Sequence, residues 1–265
     1  MRVPGLLLIG LGLGTTAGCF VGGYDAQYAE AIKAFEESAP FAVLRPEAAV
    51  VEPGIRLRLP EGFASLSDQP AADAGQPAEK PDPSRLRPPF LRDLPDYQQT
   101  FERRFSVAGT EFPYSLAVWA IPAAKPRQAI EGAILQAARA DESFADTKPA
   151  WEDRAIVPIA GGPAAWRVLS LDGPQIFETV LAGSEAYQRH PGLCELWLSA
   201  DPDRERQLLL VWRYPESVAP LLAIPPAEIA ATVARTVTIE PAGDGAPADG
   251  AEPAAEPENQ PDPEE

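Results

Sequence analysis

The chain has 265 residues, 45% of them hydrophobic and 23% charged, with a net charge of −17. Nucleic acids and anionic lipid surfaces need basic patches, so a chain this acidic argues against both as partners of its folded part. With two cysteines, Cys19 and Cys194, the chain cannot carry the disulfide framework of small secreted folds; its stability has to come from an ordinary hydrophobic core.

Residues 1–18 read as a signal peptide. Arg2 supplies the basic start, and Leu6, Leu7, Leu8, Ile9, Leu11 and Leu13 form an apolar run too short and too Gly-rich for a membrane span. The run closes on Thr16-Ala17-Gly18-Cys19. This resembles the bacterial lipobox, in which small residues precede a cysteine that receives diacylglycerol and becomes the new N-terminus. Thr16 stands where that pattern prefers Leu. The resemblance implies lipid attachment at Cys19 and a membrane partner reached through that lipid, stably held by its acyl chains. Phe20, not Asp, follows the cysteine, which in the enteric sorting rule points to the outer membrane, facing the periplasm. Cleavage after Thr15-Thr16-Ala17 by ordinary signal peptidase, giving a soluble periplasmic protein, is the alternative; an uncleaved anchor is a third.

Residues 19–49 are expected to hold the anchor, a Gly spacer and a helix over about 25–37, capped by Asp25 and striped by Tyr24, Tyr28, Ile32 and Phe35. A single domain is expected over 50–240. It opens with a strand in which Ile55, Leu57 and Leu59 face one way and Arg56 and Arg58 the other, stopped by Pro60-Glu61-Gly62. Residues 66–90, rich in Pro and poor in apolar side chains, read as a disordered insertion. Strands are expected at Arg103–Val107 and Tyr114–Ile121, then a helix from Pro126 presenting Ala129, Ile130, Ala133, Ile134 and Ala137. Strands follow at about 151–158, 165–171, 175–182, 193–199 and 206–214. Gly161-Gly162-Pro163 and Asp172-Gly173 are read as the first two turns between them, and Leu208–Trp212 as a central strand. Pro225-Pro226 opens a last helix with Ile229, Val233 and Val237 on one side. Residues 241–265 contain eight acids and no base, and read as a disordered acidic tail.

This order predicts an α+β fold, one antiparallel sheet with helices packed against it. The opening Leu59-Pro60-Glu61-Gly62-Phe63, followed by hairpin, helix, meander and C-terminal helix, resembles the Mog1/PsbP-like α/β/α sandwich over about residues 50–240. That resemblance implies a non-enzymatic partner-binding or assembly module.

The supply of catalytic groups is thin. His190 is the one histidine, and Cys194 four residues on offers the sharpest nucleophilic pairing. Against it, Cys194 alternates with Leu196 and Leu198 as a buried residue would, and His190-Pro191-Gly192 reads as an exposed turn. Asp201-Pro202-Asp203-Arg204-Glu205 spaces carboxylates like a calcium loop, but Arg206 and Trp212 occupy the positions where such a loop needs Gly and Glu. No motif calls for a metal or cofactor. Five tryptophans (Trp119, Trp151, Trp166, Trp197 and Trp212) are read mostly as core, with an exposed one able to stack on a glycan or small molecule. The expectation is a non-enzymatic envelope lipoprotein that binds another envelope protein or supports an assembly. A glycan or small-molecule binder and a soluble periplasmic hydrolase are the alternatives.

Overall fold

The computed structural model describes residues 39–66, 87–144, 147–159, 161–201 and 205–240. The chain divides into two compact units, Met1–Ala42 and Val43–Glu265, and the architecture below is that of the second. The leader with Cys19, the helix expected over 25–37, residues 67–86 of the insertion and the acidic tail lie outside the described residues. No helix among the described residues is long and apolar enough to cross a membrane.

The fold is α+β and its strands pair antiparallel. Strands β1 (Leu44–Glu52), β2 (Ile55–Pro60) and β10 (Thr238–Ile239) form a small sheet with β2 in the middle. A second, seven-stranded sheet runs through β3 (Ala64–Ser65), β4 (Tyr97–Val107), β5 (Thr110–Pro122), β9 (Arg206–Pro215), β8 (Ser184–Ser199), β7 (Ala165–Leu181) and β6 (Glu152–Ala155), in that spatial order. The single sheet expected from sequence is therefore two. Strand β1 also starts the domain six residues earlier than expected, at Leu44 rather than 50. Of its side chains Leu44 is buried and most others are exposed or half-exposed, so no alternation announces it.

Helix α1 (Arg127–Ala140) buries Ile130, Ile134 and Ala138 at a spacing of four, against one face of the large sheet. That face is built from Ala117, Trp119 and Ile121 of β5, Leu209 and Val211 of β9, Cys194, Leu196 and Leu198 of β8, and Leu169 and Leu171 of β7. Residues of opposite parity, among them Leu116, Trp166, Trp197, Leu210 and Trp212, are buried as well, with Phe63 edge-on to Tyr114 and Trp212. Strand β9 is thus covered on both sides, as its continuous apolar run predicts. Helix α2 (Pro226–Thr236) buries Ile229 and Val233 and packs against β2, where Thr236 Oγ1 accepts a hydrogen bond from Arg58 N at 2.9 Å. The insertion also ends earlier than expected. Pro89–Leu91 forms a 3-10 turn whose Leu91 enters the core and whose Phe90 meets Phe144 edge-on at 5.4 Å.

The largest departure from expectation is at Asp172-Gly173 and His190-Pro191-Gly192. Neither is a turn. Strands β7 and β8 run unbroken through them and pair as a ribbon from Trp166–Ser199 to Leu181–Ser184. The reversal lies at Ala182-Gly183, with φ of 50° and 82°, a two-residue turn that needs left-handed backbone at both positions. Alanine adopts that conformation at a cost of about 1 kcal/mol. Ala182→Asn is therefore expected to stabilise the fold by roughly 0.5–1 kcal/mol, seen as a rise in Tm of a few degrees in thermal unfolding.

Gly173 is registered opposite Gly192 and Pro174 opposite Pro191. At its base the ribbon has β8 inside, paired with β9, and β7 outside, paired with β6. At its tip β7 is inside, with Glu111 and Thr110 of β5 paired to Val180 and Leu181. The ribbon therefore turns over along its length, and the two glycines supply the room. A Cβ on Gly173 would stand 2.1 Å from the Ser143 carbonyl oxygen, and one on Gly192 2.6 Å from the Phe177 ring. These residues serve close approach, not chain reversal.

Candidate functional site

The residues singled out from sequence do not converge. Cys194 is fully buried among Leu171, Leu196 and Leu198, and burial pushes its thiol up to about 12. His190 lies in strand β8, not in a loop, edge-on to Phe112 at 5.0 Å with Gln188 Oε1 3.2 Å from its Nε2. Four residues along one strand separate it from Cys194 by about 13 Å, too far for a nucleophile and its base. A thiol reagent at pH 8 is accordingly expected to leave Cys194 unmodified in the folded protein and to alkylate it fully in denaturant, which mass spectrometry reads directly.

Asp201, two residues past the end of β8, has a structural role. Its two carboxylate oxygens accept the backbone N–H groups of Ala164 and Ala165, both at 3.1 Å, and so hold the start of β7. Residues 202–204 lie outside the described residues, and no group of metal-binding side chains occurs among those described. The tryptophans read as a possible stacking platform are interior. Trp119, Trp166, Trp197 and Trp212 are each at most 1% exposed, and half-buried Trp151 donates its indole N–H to the Glu131 carbonyl at 3.3 Å. The four strand rings offer no face to a glycan.

A different set of residues forms a site. Where the ribbon leaves the sheet, on the α1 side, a cavity of about 260 Å³ is enclosed by Pro88–Phe90, the turn Asp141–Phe144, Gln175 and Ile176 of β7, Arg189 of β8 and Arg213 of β9. Arg213 occupies a core-facing position in β9, next after Leu209 and Val211 on that face. Its guanidinium lies over the Phe177 ring, 4.7 Å from the centroid, while the edge of that ring fills the space above Gly192. Arg213 Nε donates to Gln175 Oε1 at 3.2 Å and its Nη2 to the Ile176 carbonyl. Both acceptors are neutral, and Arg213 forms no ion pair among the described residues. Burial lowers its tendency to hold the proton and outweighs the opposing effect of nearby Asp141 and Glu102, neither of which pairs with it directly.

Gln175 completes the arrangement. Arginine has no acceptor, so the amide oxygen must face Arg213, and this directs the amide nitrogen elsewhere. Gln175 is 3% exposed and its Nε2 has no hydrogen-bond partner. An unmade bond of this kind costs a buried donor about 1–3 kcal/mol, and native folds rarely leave one. Arg189, exposed at the rim, likewise forms no ion pair among the described residues. The opposite wall is different in sign: Asp141, which ends α1 and accepts Ser143 N at 2.8 Å, and exposed Glu142. Phe90, Phe144 and Ile176 supply apolar surface between the two.

No known protein family matches the chain. A search of curated proteins finds no match either.

None of the site's residues was singled out from the sequence. One signal was present: in the run Leu208–Tyr214, Arg213 falls on the parity of Leu209 and Val211, so a cation sits on a core-facing position of a central strand. Arg189 and Gln175 carry no comparable mark, because the ribbon that brings them to Arg213 was read as two turns.

Proposed function

We infer that this chain is a non-enzymatic envelope lipoprotein, held by lipid on Cys19 at the outer membrane facing the periplasm, whose folded domain is a binding module. The observation that carries the binding role is the pair Gln175 and Arg213: a buried amide donor with no partner, beside a half-buried cation whose hydrogen-bond acceptors are neutral, both lining an open cavity. A site that waits for an acceptor beside a cation has this composition.

The order of the elements supports the Mog1/PsbP-like reading. Strand β2 runs into Leu59-Pro60-Glu61-Gly62-Phe63, and the β4–β5 hairpin, helix α1, a meander and helix α2 follow. The small sheet β1-β2-β10 is an addition to that expectation. Burial of Cys194, and the distance of His190 from it, favour binding over hydrolysis. The lipid anchor rests on Thr16-Ala17-Gly18-Cys19.

The reading is tested by cross-linking in native envelopes, comparing the natural chain with an Arg213→Met, Arg189→Gln double variant of matched abundance. A discrete cross-linked envelope protein that disappears in the variant is the expected result. The same cross-links in both, or none in either, would count against a partner-binding role for this face.

A further inference from the structure

We propose that the Arg213 cavity recognises a single carboxylate carried on a small apolar body whose other end donates hydrogen bonds: a free α-amino acid, or the C-terminal residue of a peptide. The inference rests on the binding-module reading above and names what the module takes.

Unmet donors and their placement point to such a ligand. Nη1 of Arg213 makes no hydrogen bond, and its Nε and Nη2 are committed to Gln175 and to the Ile176 carbonyl. Gln175 Nε2 is a buried donor without an acceptor in the same wall, and Arg189 adds a second, exposed cation at the mouth. A carboxylate has two acceptor oxygens to offer such donors, and charge-assisted bonds of this kind are about twice as strong as neutral ones. Asp141, Glu142 and the C-terminal, electronegative end of α1 face the same space. They repel a second negative charge, so phosphate dianions and polyacidic ligands fit poorly, and they accept from an amine or amide N–H. Phe90, Phe144 and Ile176 line the space between, matching an apolar side chain. At about 260 Å³ the cavity lies below the usual range for drug-sized ligands, which limits it to a body of amino-acid size.

The full-length chain would be titrated with phenylalanine, N-acetylphenylalanine, phenylalaninamide and inorganic phosphate, following the Gln175 side-chain amide and the arginine Nε signals by heteronuclear NMR. Saturable shifts are expected with at least one of the two carboxylates, and no saturation with phenylalaninamide or phosphate. Preference for phenylalanine would assign a free amino acid, and preference for the acetylated form a peptide terminus. Gln175→Glu removes the unmet donor and sets a carboxylate against Arg213. It is expected to weaken binding by at least about tenfold while leaving Tm unchanged or higher, which separates loss of the site from loss of the fold. Equal binding of phenylalaninamide, no saturable binding by any probe, or undiminished binding by Gln175→Glu would overturn the proposal. None of these results depends on the cross-linking experiment, so the ligand class and the module reading can fail separately.

Discussion

Gly173→Ala is expected to destabilise the protein by about 3 kcal/mol or more, read as a fall in the urea midpoint with little change in slope. The new Cβ would meet the Ser143 carbonyl oxygen at 2.1 Å and the carbonyl carbon at 3.2 Å. Those are backbone atoms, so no side chain can swing aside. The turn Glu142–Phe144 has to lift, and with it Phe144, which is 2% exposed and part of the α1-side core. Overpacking alone costs about 1–3 kcal/mol, and partial exposure of a phenylalanine adds to it. Gly183→Ala is the control. Nothing lies within 4 Å of its added Cβ, and the cost is that of alanine at φ +82°, about 1 kcal/mol. Similar losses for the two substitutions would mean that Gly173 is a turn glycine after all. Because Ser143 and Phe144 also wall the Arg213 cavity, Gly173→Ala is expected to impair ligand binding before it unfolds the chain.

Trp119→Ala is expected to cost about 3–5 kcal/mol, the range for removing an aromatic ring from a packed core. Trp119 is 0% exposed in the middle of β5, edge-on to Tyr97 at 5.3 Å, and its indole N–H donates to the Leu94 carbonyl at 3.3 Å. Its loss opens a cavity between the sheet and the 88–94 segment and leaves that carbonyl without its donor. A tryptophan kept for stacking on a glycan would behave in the opposite way: little change in stability, and a large change in sugar binding. Denaturant unfolding of this one variant therefore separates the core role from the stacking role.

How much of this was legible depends on which physical signal each segment carries. Ile55, Leu57 and Leu59 alternate with Arg56 and Arg58, and β2 lies where that period of two places it. Ile130 and Ile134 recur at a helical step, and α1 buries them, although Ala129 and Ala133, counted with them, are exposed and Ala138 closes the stripe. The continuous run Leu208–Trp212 announces a strand buried on both faces. The errors share a cause. Gly and Pro were read as local punctuation at 172–174 and 190–192, whereas their role is set by atoms distant in sequence, the Ser143 carbonyl and the Phe177 ring. Conversely, the real reversal at Ala182-Gly183 puts alanine in a conformation that asparagine or glycine usually marks, so nothing flagged it. The candidate site was lost with the ribbon. Arg213, Gln175 and Arg189 lie on three strands, and no pattern local to any one of them records that they meet.

The proposed role depends first on where the protein is held, and the mass of the mature N-terminus from native membranes, beside a Cys19→Ala variant, tests that most directly. The expected result is a chain beginning at Cys19 with a diacylglyceryl-sized increment, absent from the variant, which would no longer sediment with membranes. An unmodified N-terminus at Gly18, recovered from the soluble fraction, would contradict the anchor and leave a periplasmic protein whose ligand should be sought among soluble molecules.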